Sequence, residues 1–246
     1  MERGAALVTG AASGIGRAVT ERLEGDGFSV LAVDRDPDPD GPGEPFAADL
    51  TTSDGNRAAV AAALERYGRL DVVVPNAGVQ HVAGIEDFDE EHWRTLLDLL
   101  LTSPFLLAQH AWSALRDSER GRFIAIASVH GLVASPFKAA YVSAKHGLLG
   151  LVKVLALEGA EQGVIATAVC PGYVRTPLVE GQLAAQARSH GISERDVLEQ
   201  VILQPHALKR LIEPEEVAEV VGMLVGETGA GFTGAPVVMD MGWSAR

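Results

Sequence analysis

The sequence predicts an α/β fold built on one open, doubly wound parallel sheet of about seven strands, with helices on both faces. Two observations carry this prediction. Short, nearly continuous apolar runs recur along the chain, as expected for strands that are buried on both sides. Segments with helical periodicity separate these runs throughout. Because the 246 residues contain no linker, repeat or low-complexity block, we expect a single domain over residues 1–246.

The individual elements follow from local composition. Apolar runs predict strands at 5–8, 28–33, 70–74, 123–127, 164–169 and 236–240, with a weaker one at 45–48. Helical patterns occupy 15–24, 54–66, 89–116, 140–161 and 214–225.

Two regions depart from this alternation. The segment DRDPDPDGPGEP carries four prolines, a density that forbids a helix, so we expect an irregular crossover between the second and third strands. The second region, about 177–209, is a helical excursion rich in small and polar residues. Because it follows the carboxyl end of a strand, it is expected to be a substrate lid.

Charge and composition exclude several functions. The formal net charge is −13 and the pI is near 4.9, whereas nucleic-acid binding needs a basic face. An acidic protein also repels anions at long range, so any anion site needs local cations. The lone Cys170 cannot form an internal disulfide and is expected to be a buried thiol. No apolar run reaches membrane-spanning length and the first residues lack a leader pattern, so we expect no membrane contact and a cytoplasmic location.

The first strand leads into a glycine-rich turn that opens a helix. Glycines there let backbone N–H groups and the helix N-terminus approach a pyrophosphate. The spacing is G-x-x-x-G-x-G rather than the usual G-x-G-x-x-G, and a merely structural turn is the alternative. The strand–turn–helix context favours dinucleotide binding by Gly10, Ser13, Gly14, Ile15 and Gly16.

Asp34 ends the second strand and is expected to select the cofactor. A carboxylate there accepts hydrogen bonds from the adenosine ribose and repels a 2′-phosphate, so NAD is expected rather than NADP. Alternatively, Asp34 is simply one of several acids in an aspartate-rich turn, without a role in cofactor binding. The adjacent Arg35 can weaken the preference for NAD over NADP. Further ligand-facing positions follow the third and fourth strands, at Asp49, Leu50, Asn76, Ala77 and Gly78.

Three residues in the second half of the chain predict acid–base chemistry. Ser128 follows the fifth strand, and Tyr141 and Lys145 lie four residues apart on one face of a helix. A free tyrosine has a pKa of about 10, too high for a base at neutral pH. An ammonium group one turn away, aided by a positively charged nicotinamide, stabilises the phenolate, while Ser128 can hold a substrate oxygen. A surface tyrosine and lysine on an ordinary helix are the alternative, which the glycine turn disfavours.

These motifs together resemble one enzyme family. TGAASGIG, NAG, Ser128, YVSAK, the pair Pro171–Gly172 and TGAPVVMDMG are similar to the short-chain dehydrogenase/reductase family across essentially the whole chain. The resemblance implies a Rossmann-type sheet, a Ser–Tyr–Lys mechanism and commonly a homotetramer. It also implies further cofactor contacts from Pro171, Gly172, Val174 and Thr176.

Within that family, the stretches NAGVQH, IASVHGLVAS, AAYVSAKHG and PGYVRTPLVEGQ resemble the D-3-hydroxybutyrate dehydrogenases. This implies NAD-dependent, reversible oxidation of a small 3-hydroxy acid to its 3-oxo acid. It also implies a substrate site in which four side chains bind the carboxylate and two wall the alkyl end, beside Ser128. The four are Gln80, His130, Lys138 and Gln182, and the walls are Tyr173 and Trp243.

The residues themselves support this substrate site in part. Lys138 precedes the catalytic helix, where a cation meets the unfavourable end of the helix dipole, a placement that favours an anion between them. His130 taken alone is equally well a structural histidine, and isolated glutamines are usually solvated. The histidines lack the spacing of metal ligands, so no metal site is expected.

Two positions depart from the family pattern. Leu100 stands seven residues after Trp93, where the family carries an asparagine that shapes the helix and holds a water of a proton relay, and Pro75 replaces an asparagine before Asn76. Leucine cannot bind that water. The alternatives are therefore slowed catalysis, a rerouted relay, or an NAD-binding protein with impaired turnover. Tyr173 stands where a tryptophan is common in the similar dehydrogenases, and together with Leu100 it leaves a dehydrogenase of a larger or cyclic alcohol as a further alternative.

Overall fold

Seven parallel strands form one sheet in the computed structural model, which describes residues 3–245 apart from the side chains of 184–186 and 188–190. Its order is β3-β2-β1-β4-β5-β6-β7. The strands are β1 Gly4–Thr9, β2 Phe28–Asp34, β3 Glu44–Ala47, β4 Val72–Val74, β5 Arg122–Ile126, β6 Ile165–Pro171 and β7 Pro236–Met239. The predicted fold class is confirmed, and β4 is shorter than its apolar run.

Eight α-helices connect these strands within the described residues. They are α1 Gly14–Gly25, α2 Ser53–Tyr67, α3 Glu90–Leu97, α4 Ser103–Asp117, α5 Ala139–Gly159, α6 Pro177–His190, α7 Glu194–Val197 and α8 Pro214–Val225. π-Helical turns at Asp98–Thr102 and Leu198–Ile202 follow α3 and α7, and 3-10 turns lie at Val129–Gly131, Ala160–Gln162, Glu227–Phe232 and Trp243–Ala245.

The helix predicted over 89–116 is interrupted by a π-helical turn. The backbone N–H of Ser103 bonds to the carbonyl of Asp98, one residue further back than in an α-helix. Periodicity does not reveal such an insertion, because the apolar residues on both sides continue. The turn contains Leu100, which is buried.

Helices cover both faces of the sheet. Alternate residues of a strand point to opposite faces, so Leu7 packs in one apolar cluster while Ala6 and Val8 pack in the other. The first cluster contains residues of α2, α4 and α5, and the second contains residues of α1 and α8. The burial of both faces explains why the strands are continuous apolar runs.

The crossover between β2 and β3 is irregular, as the prolines predict. Turns replace a helix over 35–43, and the Asp38 side chain accepts a hydrogen bond from the Asp40 backbone. Arg17 on α1 donates to Asp38 at 2.7 Å, which ties the crossover to the first helix. Both side chains are more than a third exposed, so this ion pair contributes little stability.

The order of the sheet reverses between β1 and β4. From β1 the chain runs outward to β2 and β3, and then returns to β4 on the other side. In such sheets the crevice outside the carboxyl ends of the strands, at this switch point, is the usual ligand site. Gly10 follows β1 and Asn76 follows β4, so both lie at that crevice.

Helix α5 and the turn after it, Ala139–Gln162, have the length and hydropathy of a membrane span by composition alone. This helix lies in the core of the fold, and 44% of its most apolar stretch is buried there. Lys145 lies within it, buried. The same composition therefore follows from packing against the sheet.

The excursion at 177–209 is helical, as predicted, and has a small core of its own. Buried side chains from α6, α7 and the segment after them pack together with the half-buried Tyr173. Met241 accepts hydrogen bonds from the backbones of Ala207 and Leu208, so the end of the excursion is held against the C-terminal segment.

Candidate active site

A cleft of about 290 Å³ opens at the switch point of the sheet. It gathers most of the predicted cofactor residues, together with the three predicted catalytic ones. From the predicted set its lining includes Gly10, Ser13, Gly14, Ile15, Asp34, Asn76, Gly78, Ser128, Tyr141, Lys145, Pro171, Gly172, Val174 and Thr176. Asp49, Leu50 and Ala77 line an adjoining pocket that shares Gly10, Asp34 and Gly78.

The glycine turn has the conformation that a phosphate-binding turn requires. Gly10 and Gly14 have φ values of +65° and +52°, a backbone conformation that residues with a side chain rarely adopt. A Cβ on Gly10 would lie 2.8 Å from the Ala77 backbone, and one on Gly16 would lie 2.1 Å from the Gly10 carbonyl. Gly16 therefore lies behind the turn and permits its close packing, while the turn leaves space for a ligand.

Asn76 fixes the crevice from the other side. Its side-chain amide donates to the carbonyls of Thr9 at 2.9 Å and Gly10 at 3.3 Å. The Thr9 hydroxyl accepts from the backbones of Asn76 and Ala77. Asn76 thus joins the ends of β1 and β4, and it acts on the cleft by positioning the turn.

Asp34 lies at the mouth of the cleft, where its carboxylate is held in place. The backbone of Ala12 donates to Oδ2 at 3.2 Å and that of Asp36 to Oδ1 at 3.3 Å. Each carboxylate oxygen retains capacity to accept a further hydrogen bond. Asp49 is likewise held by hydrogen bonds from the hydroxyl and backbone of Thr51, and these bonds lower the pKa of its carboxyl group.

Ser128, Tyr141 and Lys145 come together at the inner end of the cleft. The Ser128 side-chain oxygen accepts from the His130 backbone at 3.1 Å and lies 3.5 Å from His130 Nδ1. Its single hydrogen can be directed to the Tyr141 hydroxyl, or to a substrate oxygen when one is bound. The Lys145 ammonium lies 5.7 Å from the centre of the Tyr141 ring and donates to the Ile126 carbonyl at 2.8 Å.

Burial shifts both titrating groups. It lowers the pKa of Lys145 to about 8, and it raises the pKa of Tyr141, which a hydrogen bond with Ser128 partly offsets. Both shifts result from taking charge out of water, and a positive charge in the cleft would favour the tyrosinate. Cys170 on β6 lies behind this group, as the predicted buried thiol. Burial raises its pKa to about 11, and the Ser128 backbone bonds to its sulfur.

An aromatic cluster adjoins Tyr141. The His130 ring lies edge-on to Tyr141 at 5.9 Å and to Trp243 at 5.1 Å. Tyr173 stacks on Trp243 at 5.5 Å. Burial, with the charges of Lys138 and His146, lowers the pKa of His130 to about 3, so this imidazole is neutral at physiological pH.

Lys138 completes the cluster as a buried cation. It is 6% exposed, and its ammonium donates to the Tyr173 hydroxyl at 3.1 Å. Among the described residues, no carboxylate lies within ion-pair distance of it. Burial lowers the pKa of Lys138 to about 8. A buried ammonium without a counter-ion is unfavourable unless an anion joins it, which makes this a candidate carboxylate site.

The two predicted glutamines are placed less directly. In the described part of the chain, the Oε1 atoms of Gln80 and Gln182 are buried without a hydrogen-bond partner, and no hydrogen bond joins either residue to Lys138 or His130. Amide oxygen and nitrogen exchange places by a half-turn, which would present donors to an anion. Gln182 lies one helical turn after Leu178, which lines the cleft.

His206 also belongs to the cluster, and no pattern in the sequence predicts this. It is fully buried, and its ring lies 5.9 Å from Tyr173 and 5.8 Å from Trp243. Because Nδ1 donates to the Arg210 carbonyl at 3.1 Å, Nε2 carries the lone pair. Within the described residues Nε2 has no partner, and it faces Gly172.

Leu100 occupies the position of the family asparagine and forms an apolar contact there. It is 1% exposed, lines the cleft and packs with Leu96, Ala140 and Ala144. The π-helical turn is therefore present without the asparagine. This corner of the cleft offers carbon atoms where an amide would offer hydrogen bonds.

Replacing Leu100 by asparagine is expected to destabilise the fold. The amide would enter an apolar cluster, and burying an amide without partners lowers the free energy of unfolding by roughly 1–3 kcal/mol. Denaturant unfolding measures this change. An unchanged or larger unfolding free energy would show instead that the asparagine finds partners in this turn.

Comparison with known proteins agrees with this site. The short chain dehydrogenase family matches residues 4–187. The chain is 41% identical to the D-beta-hydroxybutyrate dehydrogenase of Rhizobium meliloti (strain 1021) and 38% identical to that of Cupriavidus necator, over 98% of both chains in each case. The solved structure of the ligand-free aldohexose dehydrogenase of Thermoplasma acidophilum has a TM-score of 0.93 at 28% identity, and the match covers 100% of this chain and 95% of that one.

The sheet order, the cleft at its switch point and these relatives define an oxidoreductase of the dinucleotide-binding α/β class. The resemblance drawn from the motifs is confirmed over nearly the full length. The chain belongs to the short-chain dehydrogenase/reductase family.

Proposed function

We propose that this enzyme interconverts a small 3-hydroxy acid, D-3-hydroxybutyrate, and its 3-oxo acid with NAD as the cofactor. The single observation that carries the proposal is the buried Lys138 ammonium next to the aromatic cluster, which has no carboxylate partner among residues 3–245. Relatives named D-beta-hydroxybutyrate dehydrogenase support it. A short carboxylate fits a site with one cation and apolar walls.

The residues of the site divide the chemistry among them. Tyr141 takes the proton of the substrate hydroxyl, and Ser128 donates a hydrogen bond to the same oxygen. Lys145 favours the tyrosinate through its charge. Lys138 binds the carboxylate, with His130, Gln80 and Gln182 as further ligands. Tyr173 and Trp243 exclude water from the short alkyl end.

The glycine turn and Asp34 fit a dinucleotide. The positive φ values of Gly10 and Gly14 shape the turn that borders the cleft, and the absence of a side chain at Gly16 lets the helix pack closely behind it. Asp34 faces the cleft with oxygens that still accept hydrogen bonds. The Lys145 ammonium uses one N–H group for its bond to Ile126, so two N–H groups remain to donate hydrogen bonds to a ribose. Bound NAD supplies the hydride acceptor.

Asp34→Ser is expected to weaken the preference for NAD. Removing the carboxylate removes its repulsion of a 2′-phosphate, so the ratio of kcat/KM with NAD to that with NADP should fall about tenfold or more. Initial rates with both cofactors measure it. Asp36→Ser is the matched control from the same turn. An equal ratio in wild type and Asp34→Ser would remove Asp34 from cofactor selection.

The direct test of the function is NADH production from D-3-hydroxybutyrate, followed by absorbance. Turnover with NAD and little with NADP supports substrate class and cofactor together. No turnover with this acid, but turnover in a panel of alcohols, assigns another substrate. No turnover with any alcohol, despite tight NAD binding, leaves an NAD-binding protein with impaired catalysis.

Preference for a carboxylate is expected to depend on pH. Burial lowers the pKa of Lys138 to about 8, so its cationic form is lost as the pH rises through that value. The ratio of kcat/KM for the hydroxy acid to that for a neutral alcohol should be flat below pH 8 and fall about tenfold per unit above it. Tyr141 and Lys145 act on both substrates, so their titration cancels in the ratio. A flat ratio in alkaline solution would contradict the role of Lys138.

A dehydrogenase of a larger or cyclic alcohol is the second candidate. The aldohexose dehydrogenase whose structure matches this fold supports it, as does the buried lone pair of His206 beside the pocket walls. Activity on bulky neutral alcohols, with none on D-3-hydroxybutyrate, would select it.

We also propose a cytoplasmic homotetramer that binds no nucleic acid. Exposed apolar side chains on α4 and α5, at Phe105, Val154 and Leu157, offer a surface for a second copy. The net charge of −13 opposes nucleic-acid binding. Light scattering of the purified protein tests the oligomeric state.

A further inference from the structure

The fold brings together three side chains that the sequence separates. His81 lies in the segment between β4 and α3, Asp89 caps α3, and His92 is in its first turn. One ligand atom from each lies within 4.8 Å of the other two. The intervals of eight and three residues match no common ligand spacing, which is why the sequence alone predicts no metal site.

We propose that His81, Asp89 and His92 bind a divalent transition-metal ion of the zinc class. Two imidazole nitrogens and one carboxylate oxygen form a donor set that Zn²⁺ accepts, with water as the fourth ligand. Asp89 Oδ2 lies 2.7 Å from His92 Nδ1 and 3.9 Å from His81 Nε2. In a tetrahedral site with bonds of about 2.0–2.1 Å, ligand atoms are roughly 3.3 Å apart. Binding therefore requires His81 to approach Asp89, His92 to separate from it, and the stacked imidazoles to rotate until both ring nitrogens point to the ion.

The surroundings orient the donors and admit an ion. Asp89 Oδ1 accepts from the His92 backbone at 2.9 Å, which leaves Oδ2 facing both imidazoles. The two imidazole rings stack at 3.9 Å, and Phe88 packs edge-on against His81 at 5.2 Å. The Asp89 and His92 side chains are half exposed, so a hydrated ion can enter. The net charge of −13 raises the cation concentration near the surface.

A bound ion would join the segment 79–88 to α3. Within the described residues this segment has no strand or helix, and one backbone hydrogen bond, from Ala83 to the Phe137 carbonyl, connects it to the segment before Lys138. Gln80 immediately precedes His81. Metal binding therefore restricts the position of Gln80. Its effect on substrate binding rests on the proposed function, in which Gln80 binds the substrate carboxylate.

Isothermal titration of the chelator-treated enzyme with Zn²⁺, near neutral pH, tests the site. We expect one ion per chain. His81→Gln and His92→Gln should each weaken binding at least about tenfold, since each removes one ligand. His146→Gln is the matched control, an exposed histidine on α5 that lies outside this group. Binding below one ion per chain, or equal binding by the two variants and wild type, would overturn the site.

Amide hydrogen exchange tests the restriction of the segment. In wild type, Zn²⁺ should slow exchange over 79–88, and in His92→Gln it should not. Stoichiometric binding with unchanged exchange would overturn the link to Gln80. Unfolding curves confirm that the variants are folded, and neither readout depends on turnover, so failure of the proposed dehydrogenase activity is observed separately.

Discussion

Tyr141→Phe should nearly abolish turnover while NAD binding stays close to that of wild type. The substitution removes one hydroxyl and keeps the ring that packs with Leu96, Leu100 and Ala144. The edge-on contact with His130 also persists. Because general acid–base catalysis contributes about 10²–10⁴-fold, kcat should fall by about 10³-fold. Initial rates measure the loss, and fluorescence titration measures NAD affinity.

Tyr67→Phe is the matched control for this change. Tyr67 ends α2, far from the cleft, and its hydroxyl donates to Glu44 at 3.2 Å on the surface. Its loss should leave kcat unchanged. Retained turnover in Tyr141→Phe would remove this residue from the mechanism, whereas equal losses in both variants would indicate a general effect on folding.

Lys138→Ala should raise KM for a carboxylate substrate by about 30- to 5,000-fold, since leaving a buried charge unpaired loses roughly 2–5 kcal/mol. The kcat/KM for a neutral secondary alcohol should change by less than about threefold, within the small effect of losing one hydrogen bond to a neutral group. Initial rates over a range of both substrates measure the split.

The thermal stability of Lys138→Ala provides an independent readout. A buried ammonium at the N-terminus of α5 meets an unfavourable dipole, so its removal should leave Tm unchanged or higher. Lys153→Ala, an exposed lysine on the same helix, is the control and should leave KM unchanged. An equal rise in KM for both substrates would contradict the proposal that Lys138 binds the substrate carboxylate.

Much of this fold is predictable because its physical signals are local. A strand buried on both faces is apolar at most of its positions, and β1, β2 and β6 show this pattern. The helical spacing of Tyr141 and Lys145 likewise places both at one end of the cleft. Asp34, Asn76 and Ser128 are at the cleft because strands of a parallel sheet end along one edge.

Other features depend on contacts between distant segments. His206 reaches the cluster because the chain returns past Tyr173 and is held against Met241, which periodicity does not encode. The group of His81, Asp89 and His92 depends on the path of a segment without regular structure. The π-helical turn at Leu100 adds a residue without altering the apolar pattern around it.

The position of Cys170 has a consequence for chemical labelling. The sequence contains no second thiol, and this one is fully buried behind Ser128 with its pKa raised to about 11. Alkylating reagents attack the thiolate, so the folded protein should resist them. Its modification rate then records how often the catalytic edge of the sheet opens, and any cysteine introduced at the surface becomes a uniquely reactive attachment point.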